Sequence, residues 1–294
     1  MQQEHTTVPH IRLLAIDIDG TLLNPSMEIT HRTREAIHAA QRAGVVVTLA
    51  TARRYVNTRQ IADALGLEIP LVLCDGALIV QHPQAIILQT QSIESSIGQQ
   101  TVDIMVAHDI QPVVQREVVD GTLHRAQEEI WTGPSQYDTA EVRPYLETFP
   151  DNIQRLPYEL LCTGQPEPLR IVAFTTEELV HILIPEVSLL DCTWNMIPRG
   201  NYGCAELAVL RKGCSKASGV VALAHQLGIP MEQVMAIGDN MNDIEMLTNA
   251  GWGVAMGQAI PSVVAIADAV TTSNAEDGVA VAIERYILNE RHGK

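Results

Sequence analysis

Two aspartates, Asp17 and Asp19, are the residues whose type and spacing most clearly point to chemistry. They stand in the segment Asp17-Ile18-Asp19-Gly20-Thr21, within an otherwise apolar stretch. Side chains two residues apart project to the same side of an extended chain, so both carboxylates are expected in one small volume. An Asp-Gly pair is also common in surface turns. A turn does not explain Asp17, because a lone carboxylate in an apolar strand is costly.

A second acidic cluster follows a later apolar stretch, where residues 238–243 read GDNMND. Asp239 and Asp243 are four residues apart, and Asn242 lies on the same side of the helical turn that opens there. Asp and Asn at such a position are also common helix N-caps. Capping alone is therefore an alternative interpretation of this cluster.

Alternating strand and helix patterns predict how the two clusters are positioned. Apolar segments predict strands at 11–18, 45–50, 71–74, 234–237 and 252–256. Helical spacing and capping residues predict helices after Thr30 up to Gly44, at 55–65, after Ser215 up to 227, and at 242–249, 261–267 and 277–289. Such alternation is typical of an α/β fold, here a Rossmann-like doubly wound parallel sheet with helices on both faces.

The middle of the chain has a different pattern. It contains predicted helices at 92–107 and 177–184, predicted strands at 171–174 and 193–197, a hairpin signal at Asp120-Gly121, and predicted loops from 133 to 168. We interpret it as an α+β domain inserted into the first. The predicted domains are thus the two core segments, 1–84 and 209–294, and the insert, 85–208.

Both acidic clusters are expected at the carboxyl ends of strands in one sheet, where open α/β sheets place their sites. Carboxylates that converge there repel one another, and a divalent cation among them keeps them ionised. Hard oxygen ligands favour Mg²⁺. Two further elements add groups for an anion: Thr51-Ala52-Arg53, after the second strand, and Lys216, in the first turn of a helix, where its charge opposes the macrodipole.

Composition limits the class of partner. The 294 residues include 19 Lys and Arg against 35 Asp and Glu, a formal net charge of −16, which disfavours nucleic acid and anionic membrane surfaces as partners. The five cysteines show no Cys-x-x-Cys pair, and the N-terminus shows no apolar signal segment. We therefore expect a cytoplasmic protein that acts on a small molecule.

Together the four elements resemble the haloacid dehalogenase superfamily, and more closely its Cof-type, subclass IIB, phosphatases. Residues 17–21 are similar to the first motif of that family, Thr51 to the second, Lys216 to the third and residues 238–243 to the fourth. The inserted domain follows the second motif, where these phosphatases carry a large α+β cap. We call residues 85–208 the cap and the remainder the core.

The resemblance implies a Mg²⁺-dependent phosphatase that hydrolyses small phosphorylated metabolites through an aspartyl-phosphate. Asp17 would be the nucleophile and Asp19 the general acid and base. The implied metal ligands are Asp17, the backbone carbonyl of Asp19, and Asp239. The implied phosphate-binding groups are Thr51, the Ala52 amide, Lys216 and Asn242. Asp243 would contact Lys216 or a water near the metal instead of the phosphate.

The chain departs from the family pattern at two positions near these motifs. Ala52 stands where glycine is usual, and Asp75 begins an Asp-Gly-Ala segment where Asn-Gly-Ala is common. Asp75 adds a negative charge near the site. Cap residues that are candidates for contact with the leaving group are Trp131, Arg199, Asn201 and Tyr202.

Three other functions compete with the phosphatase. A phosphomutase would use the same aspartyl-phosphate and return the phosphoryl group to a second hydroxyl. A non-catalytic phosphate- or metal-binding module would share the fold. A dinucleotide-binding oxidoreductase is also doubly wound, but the first strand–helix turn lacks the Gly-x-Gly-x-x-Gly sequence that such enzymes need.

Overall fold

The computed structural model describes residues 8–119, 126–149, 153–200 and 202–289. The strands in these residues are β1 Leu13–Ile16, β2 Val46–Leu49, β3 Pro70–Leu73, β4 Leu78–Gln81, β5 Ile86–Thr90, β6 Pro112–Val119, β7 Ala126–Thr132, β8 Ile153–Arg155, β9 Arg170–Thr175, β10 Cys192–Ile197, β11 Ala205–Arg211, β12 Val234–Gly238, β13 Trp252–Ala255 and β14 Ala269–Val270. The helices are α1 His31–Arg42, α2 Tyr55–Ala64, α3 Ser95–Ala107, α4 Arg143–Glu147, α5 Glu177–Val187, α6 Lys216–Gln226, α7 Ile244–Asn249, α8 Pro261–Val264 and α9 Gly278–Ile283. The predicted hairpin turn at Asp120-Gly121 lies outside the described residues.

The core is built on a parallel sheet of five strands, in the order β14-β13-β12-β1-β2. Alternate residues of β1 face opposite sides of this sheet: Leu14 packs in a buried cluster with α1 and α9, and Leu13 in one with α6 and α7. A strand buried on both faces explains why β1 is apolar throughout. Helices on both faces confirm the predicted doubly wound α/β sheet.

Helix α6 begins at Lys216, one of the site residues predicted from the sequence. The Ser215 side chain accepts from the Ser218 N–H at 3.2 Å, and the Ser215 N–H donates to the Ser218 hydroxyl at 3.0 Å. These reciprocal bonds satisfy donors at the helix start and confirm Ser215 as the predicted helix N-cap. They place Lys216, which is only 2% exposed, in the first turn.

The cap contains a six-stranded sheet in the order β10-β11-β9-β6-β7-β8. Helices α3 and α5 cover one face, and α4 packs on the other through Tyr145 and Leu146. This α+β arrangement confirms the predicted class of the insert. The prediction of loops from 133 to 168 is only partly correct, because this segment also contains a helix and a strand. Its short apolar groups form α4 and β8 because they bury side chains against the sheet.

The chain enters and leaves the cap at neighbouring points. Strand β5 pairs with β4 in a separate antiparallel sheet, β3-β4-β5, and β11 continues to residue 211 in the cap sheet. The Gln91 side chain, on the entering segment, donates to the Ser218 hydroxyl on α6 at 3.4 Å. The boundaries at 84/85 and 208/209 stay a prediction, and the strand pairing favours crossings at 91–94 and 212–215.

A buried ion pair joins cap and core beside the site. Arg54, just before α2, has its Nη1 3.5 Å from Glu128 Oε2 on β7. Glu128 Oε1 accepts from the Tyr55 N–H at 2.5 Å, so a cap carboxylate also satisfies an amide at the N-terminus of α2. The Arg54 guanidinium lies 4.0 Å from the centre of the Phe149 ring. Charge matching and aromatic packing therefore hold the cap in this position.

We predict that Glu128→Ala destabilises the protein by about 3 kcal/mol, because Arg54 is left buried without its anion. Urea denaturation measures this change. Glu147→Ala, at an exposed position on α4, is the matched control and should change stability by less than about 0.5 kcal/mol. Equal transition midpoints for the two variants would show that the ion pair does not stabilise the fold.

Candidate active site

A cavity of about 550 Å³ lies between the carboxyl edge of the parallel sheet and the cap. The core residues predicted from the sequence that line this cavity are Asp17, Asp19, Thr51, Ala52, Lys216, Asp239 and Asn242. Asp243 lies beneath its floor and is fully buried. Residues from four separate segments therefore meet at one edge of the sheet.

A buried ammonium group joins two of the aspartates. Lys216 Nζ donates to Asp17 Oδ1 and to Asp243 Oδ1, each at 2.7 Å. Burial raises the pKa of Asp17, and the charge of Lys216 opposes that shift. Burial lowers the pKa of Lys216, but the charges of Asp17 and Asp243 outweigh it, so that pKa is raised. Lys216 is therefore a fixed positive charge at the base of the cavity.

Asp243 also shapes the loop that carries Asp239. Its Oδ2 accepts from the N–H groups of Asp239 at 3.0 Å and of Asn240 at 3.1 Å. The N-capping that the sequence suggested as an alternative is therefore present: Asn240 is the N-cap and Asp243 the third residue of a capping box. Asp239 is oriented from the other side, since its Oδ1 accepts from the Thr21 hydroxyl at 3.2 Å.

Three carboxylates lie close enough to hold one metal ion. One oxygen from each of Asp17, Asp239 and Asp243 lies within 4.8 Å of the other two. Burial, and then the charge of Asp243, raise the pKa of Asp239 to about 6, a cost that a cation would relieve. A Cβ at Gly20, where φ is +79°, would collide with the Asp239 carboxylate, so glycine keeps this space open. The oxygen donors and the excess negative charge fit a hard divalent cation.

Asp19 is held apart from this cluster by Arg53. Its two carboxylate oxygens accept from Arg53 Nε at 2.7 Å and from Nη2 at 2.6 Å. Burial lowers the pKa of Arg53, but its hydrogen bond and charge interaction with Asp19 outweigh burial, so that pKa is raised. The Asp19 side chain is 33% exposed and faces the cavity. Its carboxylate is thus placed for contact with a substrate, and the metal role of its backbone carbonyl stays a prediction.

The other predicted phosphate-binding groups surround the same space. The buried Thr51 hydroxyl accepts from the Arg53 N–H at 3.1 Å, which leaves the hydroxyl hydrogen for another acceptor. Asn242 Nδ2 donates to Asp75 Oδ1 at 3.0 Å, and its second hydrogen is available to a ligand. These groups can donate hydrogen bonds to an anion above Lys216.

The cap supplies the opposite wall of the cavity. The Tyr145 ring stacks on Phe174 with centroids 4.5 Å apart, and Tyr202 packs edge-on against Tyr145 at 5.1 Å. Glu206, on β11, also lines the cavity. Burial raises the pKa of Glu206 to about 7; Arg170 lowers it, whereas Asp75 and Asp19 raise it. This wall combines aromatic rings with the Glu206 carboxyl group and the arginines Arg170 and Arg199.

Sequence reasoning found only part of this wall. Tyr202 and Arg199 line the cavity, as expected of leaving-group candidates, and Asn201 lies outside the described residues. Trp131 does not line it; its ring packs against the Arg116 guanidinium 4.4 Å away, inside the cap. Two missed residues are Arg170, at the start of the apolar strand β9, and Glu206, within β11. A charge in an apolar strand is the signal that could have identified them.

The comparisons with known proteins agree with this geometry. The family model described as haloacid dehalogenase-like hydrolase matches residues 14–283. The putative phosphatase YxeH of Bacillus subtilis is 32% identical, over 94% of this chain and 98% of its own length. The pyridoxal phosphate phosphatase YbhA of Escherichia coli is 26% identical, over 94% and 99%. Among solved structures, the subclass IIB sugar phosphatase BT4131 superposes with a TM-score of 0.76 at 25% identity, over 94% and 98%.

The family match covers most of the chain, and the residues on which the resemblance was based meet at one cavity. Relatives of similar length align over nearly the whole sequence, including the cap. The chain belongs to the haloacid dehalogenase-like hydrolases.

Proposed function

We propose that this hydrolase is a Mg²⁺-dependent phosphatase that cleaves small phosphomonoesters through an aspartyl-phosphate on Asp17. The observation that carries this proposal is the position of Asp17 at the cavity floor, bonded to Lys216 and within metal-sharing distance of Asp239. Relatives named as phosphatases of pyridoxal phosphate and of a phosphoribitylamino-uracil support a small-metabolite substrate. The cavity volume is also in the range of small-molecule sites.

In the first step, an Asp17 carboxylate oxygen attacks phosphorus and the bond from phosphorus to the leaving oxygen breaks. Lys216 donates to Oδ1 of Asp17, and because each carboxylate oxygen has a second lone pair, the two oxygens together can serve the attack and the metal. A bound Mg²⁺ would supply charge neutralisation between the Asp17 carboxylate and the phosphoryl oxygens. Lys216 adds a fixed positive charge beside them.

Asp19 carries the protons. It gives a proton to the leaving alkoxide, which departs as an alcohol, and then takes one from the water that attacks the aspartyl-phosphate. Inorganic phosphate leaves, and both aspartates return to their starting states. Arg53 donates to both Asp19 oxygens and also lines the cavity, so it holds the Asp19 carboxyl group beside the substrate.

Thr51, the Ala52 amide, Lys216 and Asn242 hold the phosphoryl oxygens. Each donor aimed at the charge that develops in the transition state can contribute about 3–4 kcal/mol in a site from which water is excluded. The cap wall of Tyr145, Phe174 and Tyr202 covers the leaving group and helps to exclude that water.

Among the described residues, no helix combines the length and the apolar character needed to cross a bilayer. The cytoplasmic location and the absence of a nucleic-acid partner stay predictions from the sequence.

We predict that Asp17→Asn lowers kcat for a small phosphomonoester, such as para-nitrophenyl phosphate, by at least about a thousandfold. The variant keeps the side-chain volume but removes the nucleophilic oxygen anion. Asp191→Asn, which removes an exposed carboxylate paired with Lys212, is the control and should retain wild-type kcat. Near-normal turnover by Asp17→Asn would exclude Asp17 as the nucleophile.

We also predict that removal of divalent metal with EDTA abolishes phosphate release and that added Mg²⁺ restores it. The reason is that three carboxylates and the substrate phosphate otherwise repel one another. Asp239→Asn should raise the Mg²⁺ concentration for half-maximal activity by about tenfold or more. Full activity in excess chelator would contradict the metal site. Isomerisation of a phosphorylated substrate without release of phosphate would favour the phosphomutase.

The pKa of Glu206 predicts a pH dependence of stability. Between pH 4.5, its ordinary value, and about 7, its value in the fold, the folded protein holds a proton that the unfolded chain has lost. The free energy of unfolding contributed by Glu206 therefore falls as pH rises through this range. Glu206→Gln should remove that fall, so its stability relative to wild type increases from pH about 5 to about 7.5. A difference between Glu206→Gln and wild type that stays constant across this pH range in urea titrations would contradict the raised pKa of Glu206.

A further inference from the structure

The turn at residues 74–76 lies between the two loops that carry proposed phosphate-binding groups. On one side, the Asp75 N–H donates to the Thr51 carbonyl at 3.0 Å. On the other side, a Cβ at Gly76 would collide with the Ser215 carbonyl at the start of α6. Asp75 has φ of +53°, in the left-handed region, a conformation that persists where surrounding contacts enforce it. The turn is therefore held against both loops.

Asp75 is 1% exposed, and both of its carboxylate oxygens accept hydrogen bonds. Oδ1 accepts from Asn242 Nδ2 at 3.0 Å, and Oδ2 accepts from Arg170 Nη1 at 3.2 Å. Only a carboxylate offers two acceptors here. An asparagine would turn its own amide hydrogens toward one of the two donors. The departure from the common Asn-Gly-Ala pattern thus matches the presence of two facing donors.

Arg170 reaches Asp75 from the cap and is itself fixed there. Its Nε donates to Gln115 Oε1 at 2.5 Å, and Gln115 Nε2 donates to the Tyr145 hydroxyl at 2.6 Å. Tyr145 belongs to the aromatic wall of the cavity. A continuous chain of side-chain hydrogen bonds therefore runs from the cap wall through Arg170 and Asp75 to Asn242.

We propose that Asp75 is a positioning residue that orients the Asn242 amide for phosphate and that Arg170 of the cap holds Asp75 in place. Docking of the cap thereby sets the orientation of a phosphate-binding group in the core. The inference rests on the proposed function, because Asn242 is a phosphoryl ligand only in that mechanism. Neither Asp75 nor Arg170 takes part in bond making.

Charge gives the cap a second effect through the same pair. Without Arg170, Asp75 would be a buried carboxylate beside the site, and it would repel a phosphate dianion. With Arg170 docked, its charge is matched. Phosphate binding and cap docking should therefore favour each other, which is a coupling between two sites through one shared side chain.

The experiment measures the inhibition constant of inorganic phosphate, together with KM and kcat for para-nitrophenyl phosphate. Asp75→Asn and Arg170→Gln should each weaken phosphate binding and raise KM by about tenfold, the value of one charge-assisted hydrogen bond. The effect on kcat should be smaller. Arg170→Lys keeps the cation and should recover part of the loss.

A double-mutant cycle separates positioning from a purely structural role. If Asp75 acts through Asn242, then Asp75→Asn should weaken phosphate binding less in the Asn242→Ala background than in the wild type. Additive losses, or phosphate binding by Asp75→Asn that equals wild type, would overturn the inference. Arg170→Gln tests the same link should Asp75→Asn fail to fold.

Asp138→Asn is the matched control. Asp138 also accepts from an arginine and an amide, Arg155 at 2.7 and 2.8 Å and Gln111 at 2.8 Å, but it does not line the cavity. It should change the urea midpoint without changing phosphate inhibition. Wild-type protein that neither hydrolyses phosphomonoesters nor binds phosphate would refute the proposed function itself. An additive cycle in an active enzyme would refute only the role of Asp75.

Discussion

The site depends on the confinement of like charges around one buried ammonium group. Three aspartates, Asp17, Asp239 and Asp243, each place one oxygen within 4.8 Å of the other two, and Lys216 bonds two of them. Ions removed from water are stable only when their geometry supplies enough partners. The helix N-cap Ser215 positions Lys216, and the ends of the strands position the aspartates. The parallel sheet brings both to one edge.

Opposite charges organise the boundary between cap and core in the same way. The core carboxylate Asp75 has its cation, Arg170, in the cap, and the core cation Arg54 has its anion, Glu128, in the cap. Docking of the cap against the core buries these charges, and each is matched by its partner across the boundary. This alternation sets the position of the cap more specifically than apolar packing could, because apolar surfaces have no sign. One arginine of each pair, Arg54 and Arg170, lines the cavity.

The core side of the cavity could be predicted well from the sequence, and the cap wall only poorly. Asp17 and Asp239 are recognisable because a carboxylate directly after an apolar strand needs an explanation, and the Ser215 cap of α6 follows from local residue preferences. Arg170 and Glu206 are equally out of place in apolar strands, but their partners are more than 90 residues away or across a cavity. Only strand pairing in the cap sheet brings them to the site. The pairing of Asp19 with Arg53 likewise depends on how two strand ends approach each other, which spacing along the chain does not show.

The neighbouring entry and exit of the cap, marked by the bond from Gln91 to Ser218, have an evolutionary consequence. An insert whose two ends lie side by side can be exchanged for another without a change in any pairing of the five parallel strands. The catalytic residues of the core can therefore be inherited while the cap is replaced. A lineage that descends from such a chain can acquire new specificities by recombination at one short seam.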